Sequence, residues 1–334
     1  VRRQNHPGRP DYRDFELPAK DDHSAPGKQY VVTIGIDHYK SAPRLHNAVG
    51  DAVGVCRAFE RLGFVPFQGP ILDGEATGAR LNRLVENDLL ALGTNDSLVV
   101  FFAGHGHIRR TPQANGSPAR TAYLLPVDAT HTKDGVEGGL CADPWLAAIA
   151  RLSPRHIFVV LDACHSGMTL DHLMRYRASE PQLPAPMEIL RKRRSRRVIT
   201  SALDDQLALD NGPIEGHSLF TGCLIQALDG GVFAREGRLV ATTSEICALV
   251  RSRVIEFPNS KQTPDCGALD LHEHGELIVE HRPPAPTRVS GPHQIQSRSL
   301  ETAQLQATPQ RGAEGLRSKA APVPPTPPPG DKRR

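Results

Sequence analysis

The chain has 334 residues, 40 Lys and Arg against 37 Asp and Glu, a formal net charge of +3 and six cysteines. That length allows one large domain with appendages or two small ones. No run of eighteen apolar residues is present and the N-terminus carries no secretory pattern, so the sequence reads as a cytoplasmic chain without a membrane span. The charge is unevenly spread. Residues 281–334 and the run "RKRRSRR" at 191–197 are basic and residues 1–28 slightly so, which leaves the remaining body at roughly −10 and weakly favours basic ligands there. Cys56, Cys141, Cys164, Cys223, Cys247 and Cys266 form no CxxC pair, which argues against a zinc ribbon and against a dense disulfide framework. All but Cys164 read as small buried hydrophobes.

In chain order, residues 1–28 are polar and contain Pro and Gly, a flexible leader. "YVVTIGI" (30–36) is a β-branched apolar run, read as a buried strand. Ala48, Ala52, Val55, Phe59 and Leu62 recur at helical spacing, and Gly63 follows as a stop. "FVPF" (64–67) is a short strand near an edge, because Pro66 cannot donate to a ladder. Thr77 caps a helix whose Leu81, Leu84, Val85, Leu89 and Leu92 share a face. "SLVVFFA" (97–103) is a third strand. "PWLAAIARL" (144–152) is a helix with Pro144 at its first position. "HIFVVLDA" (156–163) and "RVITSA" (197–202) are strands four and five. Helices over 218–228 and 244–254 and a last strand, "ELIVE" (276–280), complete the body. Residues 281–334, with "RPPAP" and "PVPPTPPPG", cannot bury a core and favour extended polyproline conformations, a disordered tail suited to a regulatory partner. Alternating strands and helices with continuous apolar strands predict an α/β fold: a mostly parallel sheet of about six strands with helices on both faces. Sites in such sheets form at the carboxyl ends of strands. His105 follows strand three and Cys164 follows strand four, so neighbouring strands would bring imidazole and thiol to one rim.

A thiolate attacks a peptide carbonyl, and a nearby imidazole takes the thiol proton and returns it to the leaving amine. A lone cysteine or a lone histidine is more simply structural. Here each ends a buried strand beside glycine, in "GHG" and "HSG", where backbone approaches a ligand closely. The amides of Gly106 and Cys164 are candidates for holding the developing oxyanion.

"FFAGHG" and "LDACHSG" resemble the histidine and cysteine motifs of the caspase and metacaspase superfamily of cysteine peptidases. Caspases carry Q-A-C-[RQG]-G with the histidine about fifty residues upstream. Here Asp162 stands two before the cysteine and "HSG" follows it, which resembles the metacaspase or bacterial caspase-like branch. "LHNAVGDAVGV", "TSALDDQLALD", "HSLFTGCLIQAL" and "KQTPD" extend the similarity over residues 29–280. The resemblance implies a caspase-like three-layer fold, with a larger part at 29–167, a flexible processing loop at 168–196 and a smaller part at 197–280. It implies His105 and Cys164 as the catalytic dyad. It also implies Asp51 and Asp162 as the carboxylates that bind Arg or Lys of a protein or peptide substrate, by charge-assisted hydrogen bonds. Some metacaspases place Ser two before the histidine; here Ala103 stands there. Asp51 could instead be a first-turn carboxylate serving the helix dipole, and Asp162 a structural acceptor. Asp204 and Asp205 border the cleft or are ordinary turn acids.

An Arg-rich loop in an enzyme preferring basic residues makes Arg191, Lys192, Arg193 and Arg194 candidate self-cleavage sites, as in the family's processing between subunits. The same run also reads as a solvated loop or a nucleic-acid patch, the weaker alternative. His105, His107 and His165 crowd the site without a recognised metal-ligand spacing, so no metal is expected. No cofactor is needed for the chemistry. Calcium dependence occurs in some metacaspases but has no EF-hand signature here. Two alternatives stay open beside a basic-specific peptidase. One is a caspase-like protease cutting after an acidic residue, disfavoured because Asp162 would repel it. The other is a caspase-like interaction module without catalysis, disfavoured by the intact dyad.

Overall fold

Strands buried on both faces need apolar side chains on both, and the two longest central runs supply them. In the computed structural model, residues 27–113, 118–132, 135–164, 176–177, 186–202, 211–234 and 238–281 are described, with backbone alone for Cys164, Tyr176 and Arg177. The chain runs β1 (Gln29–Gly35), α1 (Ala48–Arg61), β2 (Val65–Pro66), β3 (Ile71–Leu72), α2 (Gly78–Glu86), β4 (Ser97–Thr111) and β5 (Ala119–Leu124). It continues through β6 (Thr130–Thr132), β7 (Gly135–Glu137), β8 (Leu140–Cys141), α3 (Ala142–Ala150), β9 (His156–Cys164) and β10 (Tyr176–Arg177). It ends with α4 (Met187–Lys192), β11 (Ser195–Thr200), α5 (Leu219–Gln226), β12 (Val240–Thr242), α6 (Thr243–Glu256), β13 (Asp265–Ala268) and β14 (Ile278–Glu280). No described helix is long and apolar enough to cross a membrane.

The main sheet has the order β10-β13-β11-β9-β4-β1-β2. From β11 to β2 the neighbours are parallel, while β13 is antiparallel to both β11 and β10. The α/β reading therefore holds. Val99, Phe101 and Ala103 of β4 and Phe158 and Val160 of β9 pack into one layer with α1, α5 and α6. Leu98, Val100, Phe102, Ile157, Val159 and Leu161 pack into the other, with α2 and α3. That two-sided burial is why both strands lack the polar alternation of a one-sided sheet.

Four sequence expectations need correction. First, strand three does not end at Ala103. β4 runs on to Thr111 and forms a hairpin with β5, so His105 lies inside a strand. Glycines at 104 and 106 interrupt the apolar pattern without breaking the strand. Second, α3 begins at Ala142, not at Pro144. Pro144 sits third in the helix, still within the first turn, where its missing N–H costs nothing. Third, the last strand does not join the main sheet: β14 pairs with β12 in a separate ribbon, and β13 takes the place beside β11, with β10 outside it. Fourth, the segment expected to be a loop over 168–196 contains α4 and the first residues of β11. The caps at Thr77, Ser218 and Thr242 follow ordinary chemistry, each accepting a hydrogen bond from the first helical turn, and Glu245 completes a capping box with Thr242.

The basic run is not a uniform solvated patch. Arg196 is 1% exposed, and its guanidinium donates to the carbonyls of Ala150, Leu152, Arg155 and Ser195, closing the C-terminal end of α3 against β11. Burial lowers its pKa to about 10, still far above neutrality. Arg197 is paired with Glu276 at 2.7 Å, and Glu276 is fully buried. Arg191 reaches Glu280 at 2.8 Å on the surface. Lys28 donates its backbone N–H to Asp96, and the His281 ring stacks on Phe233 with centroids 5.1 Å apart. Residues 1–26 and 282–334, read as leader and tail, lie outside the described residues.

Candidate active site

The seam between β4 and β9 decides where the reactive groups lie. The two parallel strands pair in register from Ser97↔His156 to His105↔Cys164. Residues opposite each other in a ladder turn to the same face, and Phe101, Ala103, Phe158 and Val160 show that this face is the α1/α5 layer. His105 and Cys164 therefore stand side by side on adjacent strands, about 4.8 Å apart along the hydrogen-bonding direction, above the same layer.

His105 is fixed from three directions. Its backbone N–H donates to the Tyr39 hydroxyl at 2.8 Å, and the Tyr39 ring lies tilted against the imidazole with centroids 4.7 Å apart. Its Nε2 lies 2.8 Å from the Pro43 carbonyl oxygen. A carbonyl can only accept, so this contact places a proton on Nε2 and puts the lone pair of the neutral ring on Nδ1. Tyr39 and Pro43 belong to the loop after β1. That loop is held where the backbone N–H groups of Asp37 and His38 both donate to Asp73, and where Asp37 accepts from the Ala48 N–H at the start of α1. Gly104 has to be glycine, since a Cβ there would overlap the Tyr39 hydroxyl. The His105 carbonyl accepts from the Leu125 N–H on the Tyr39 side. Backbone polar groups alternate along a strand, so Gly106 turns its N–H the other way, toward β9.

Behind the seam lie two carboxylates. Asp162 is two residues before Cys164 on β9, hence on the same face and about 6.7 Å back along the strand. It accepts from the hydroxyls of Ser218 at 2.5 Å and Thr221 at 2.7 Å. Asp51 projects from the first turn of α1; it meets His217 Nδ1 at 2.8 Å and accepts from the Ser218 N–H. Both acids are nearly inaccessible, at 2% for Asp51 and 5% for Asp162. Burial pushes the Asp51 carboxyl up to about 7, with the Asp162 charge adding to the rise and the His217 hydrogen bond opposing it. Asp51 is the first-turn acid of α1 and also serves the N-terminus of the neighbouring α5, where Ser218 links it to Asp162.

The sequence model of the caspase domain matches residues 28–273. The chain belongs to the caspase-domain family of cysteine peptidases. No curated protein sequence matches it. A crystal structure of a protein from Geobacter sulfurreducens is similar at 20% identity with a TM-score of 0.49, covering 75% of this chain and 99% of that one.

Within this caspase domain the structure brings together four of the residues singled out from sequence: His105 and Cys164 across the seam, Asp162 behind them, and Asp51 joined to Asp162 through Ser218. Asp204, Asp205 and His165 lie outside the described residues, as does the Cys164 side chain. His107, further along β4, meets the ring of His131 on β6 with centroids 5.8 Å apart. Among the described residues no group of three or more His, Cys, Asp or Glu side chains is placed to hold a metal ion. The described cysteines are free; four are buried and Cys141 is half-buried, short of the burial expected for all five. Three groups around the acids were missed. Ser218 and Thr221 read only as residues of a helix over 218–228. His217, next to a capping serine, carried no spacing that marks chemistry. Tyr39 and Pro43 were missed too, since neither a tyrosine nor a backbone carbonyl in a loop leaves a sequence motif.

Proposed function

We propose that this caspase-domain protein is a cysteine endopeptidase that cuts after Arg or Lys, with Cys164 as nucleophile and His105 as acid and base. The observation that carries this reading is the in-register pairing of His105 with Cys164 on one sheet face, with two carboxylates directly behind. In the first step the Cys164 thiol gives its proton to His105 Nδ1, and the sulfur bonds to the carbonyl carbon of the substrate. Negative charge moves to the carbonyl oxygen, where the amides of Gly106 and Cys164 are the proposed donors. The Pro43 carbonyl supports the imidazolium through Nε2–H. His105 then protonates the leaving amine as the C–N bond breaks. Water, deprotonated by His105, hydrolyses the thioester and restores the thiol. Every proton in this cycle moves between groups of the chain, the substrate and water, so no cofactor enters.

Asp162 and Asp51 would receive the basic side chain of the residue before the cut. An acidic side chain placed there would add a third carboxylate to a buried pair. Fluorogenic peptides differing only in that residue test the reading. Arg and Lys peptides are expected to be cleaved and the Asp peptide spared, and Asp162→Asn is expected to lower kcat/KM on the Arg peptide about a hundredfold. Faster cleavage of the Asp peptide would transfer the site to an acidic specificity.

Self-processing fits the same specificity. Of the four candidates, Arg191 and Lys192 lie in α4, whereas Arg193 follows it with extended backbone (φ −83°, ψ 150°) and Arg194 leads into β11. Peptidases act on extended chain, so Arg193 and Arg194 are the favoured cut points. Purified protein is expected to yield fragments starting at residue 194 or 195, while Cys164→Ala stays whole. Wild-type protein that remains intact while it hydrolyses small Arg peptides would remove self-processing from the reading. The Pro-rich segment 281–334 is proposed as a docking segment for a regulatory partner.

A further inference from the structure

Two buried carboxylates joined through one serine cannot both ionise cheaply, yet a site for Arg or Lys needs negative charge. The residue placed to manage this conflict is His217. It immediately precedes the Ser218 cap of α5 and is largely buried, with its side chain 16% exposed, and its Nδ1 lies 2.8 Å from Asp51 Oδ1, within hydrogen-bond distance. Its ring is seated in a notch on α1. A Cβ at Gly54 would come within 2.5 Å of His217 Cε1 and 3.0 Å of Nε2, so the small residue is what admits the imidazole. The same short stretch serves the other acid, since Ser218 bonds Asp51 through its N–H and Asp162 through its hydroxyl. Among the described residues, the charged groups acting on Asp51 are His217, ahead of α5, and Asp162, on β9; no charged group of its own helix is among them.

We propose that His217 is a specificity-determining residue that sets the charge of Asp51, so that a basic side chain enters the site as one proton leaves it. This rests on the assignment of Asp51 and Asp162 to the basic side chain. In the empty site below neutrality the Asp51 carboxyl keeps its proton and the pair is tolerated as one charge. When a guanidinium or ammonium arrives, the Asp51 O–H proton passes to solvent through His217, and the carboxylate formed pairs with the incoming cation. Atoms and charges balance: one cation enters and one proton departs. Without His217 the carboxyl loses the hydrogen bond that favours its ionised form, so it holds its proton to higher pH.

The test compares two peptides that differ only in carrying Arg or its uncharged isostere citrulline before the cut. The ratio of their kcat/KM values cancels the titration of the dyad. In wild type this ratio is expected to rise about tenfold from pH 6 to pH 8, as one group titrates near neutrality. In His217→Ala and His217→Gln the rise should move to higher pH, which lowers the ratio at pH 7 several-fold. An unchanged midpoint in a folded variant would make His217 merely structural and overturn the proposal. A wild-type ratio near one at every pH would instead overturn the underlying assignment of the acids. Proton release is the second measurement, by calorimetry of the Cys164→Ala protein in two buffers of different ionisation enthalpy. At pH 6 the Arg peptide is expected to release close to one proton more than the citrulline peptide, and at pH 9 the two should match. Equal release at pH 6 overturns the proposal whether or not the His217 variants fold.

Discussion

Replacing Cys164 by Ala is expected to lower kcat/KM on an Arg peptide by at least about a thousandfold while leaving the fold intact, and His105→Ala is expected to do nearly the same. The two losses should not add. Each group acts only through the other, because the proton leaving the thiol is the proton later given to the amine, and a double variant should be about as inactive as either single one. The fold should survive because β9 is held by β4 along its whole length and by β11 from His156 to Leu161, and Cys164 lies at the end of the strand. Kinetics and thermal melting of the same preparations check both halves. Residual activity within about tenfold of wild type in folded Cys164→Ala would remove the sulfur from the mechanism, leaving the caspase domain as an interaction module.

The second large effect is on stability. Glu276 is fully buried and accepts from Arg197 at 2.7 Å, from the Ser244 hydroxyl at 2.5 Å, from the Ser244 N–H and from the Thr243 hydroxyl. It thereby joins β11 to the first turn of α6 from a position just before β14. Glu276→Ala would strand the Arg197 guanidinium, 8% exposed for the residue, together with three donors. Removing one partner of a buried pair costs about 3–5 kcal/mol, which for a domain of this size lowers Tm by on the order of 10 °C. Glu276→Gln keeps the shape and part of the hydrogen bonding and should cost less. Urea unfolding of both variants measures the difference. A change below about 1 kcal/mol for Glu276→Ala would mean that water reaches Arg197 and that the link does not hold the domain together.

The parallel sheet and its two helical layers were legible because β1, β4 and β9 are apolar on both faces and the intervening helices carry clear 3.6-residue stripes. The pairing of His105 with Cys164 was legible for a related reason: the apolar runs of β4 and β9 stop at matching heights on neighbouring parallel strands, although β4 itself runs on to Thr111. What escaped was set by contacts between segments distant in sequence. Pairing with β5 carries β4 past His105, and nothing local in "GHGHIRRT" reveals it. The small antiparallel strand β13, "DCGA", has no alternation to read. Arg196 looked like part of a basic surface, because its partners are carbonyls at the end of α3, and carbonyls have no letter in a sequence. His217 and Ser218 took their meaning from two acids more than fifty residues upstream in the chain.

The place of β11 has a consequence for the nicked protein. This strand lies between β9 and β13, bonded along both sides, and Arg196 anchors it beneath α3. A break in the backbone just ahead of it would sever the polymer but leave those bonds in place. The two polypeptides should therefore migrate as one particle under native conditions and separate only in denaturant, so that size alone would not reveal that the scission had taken place.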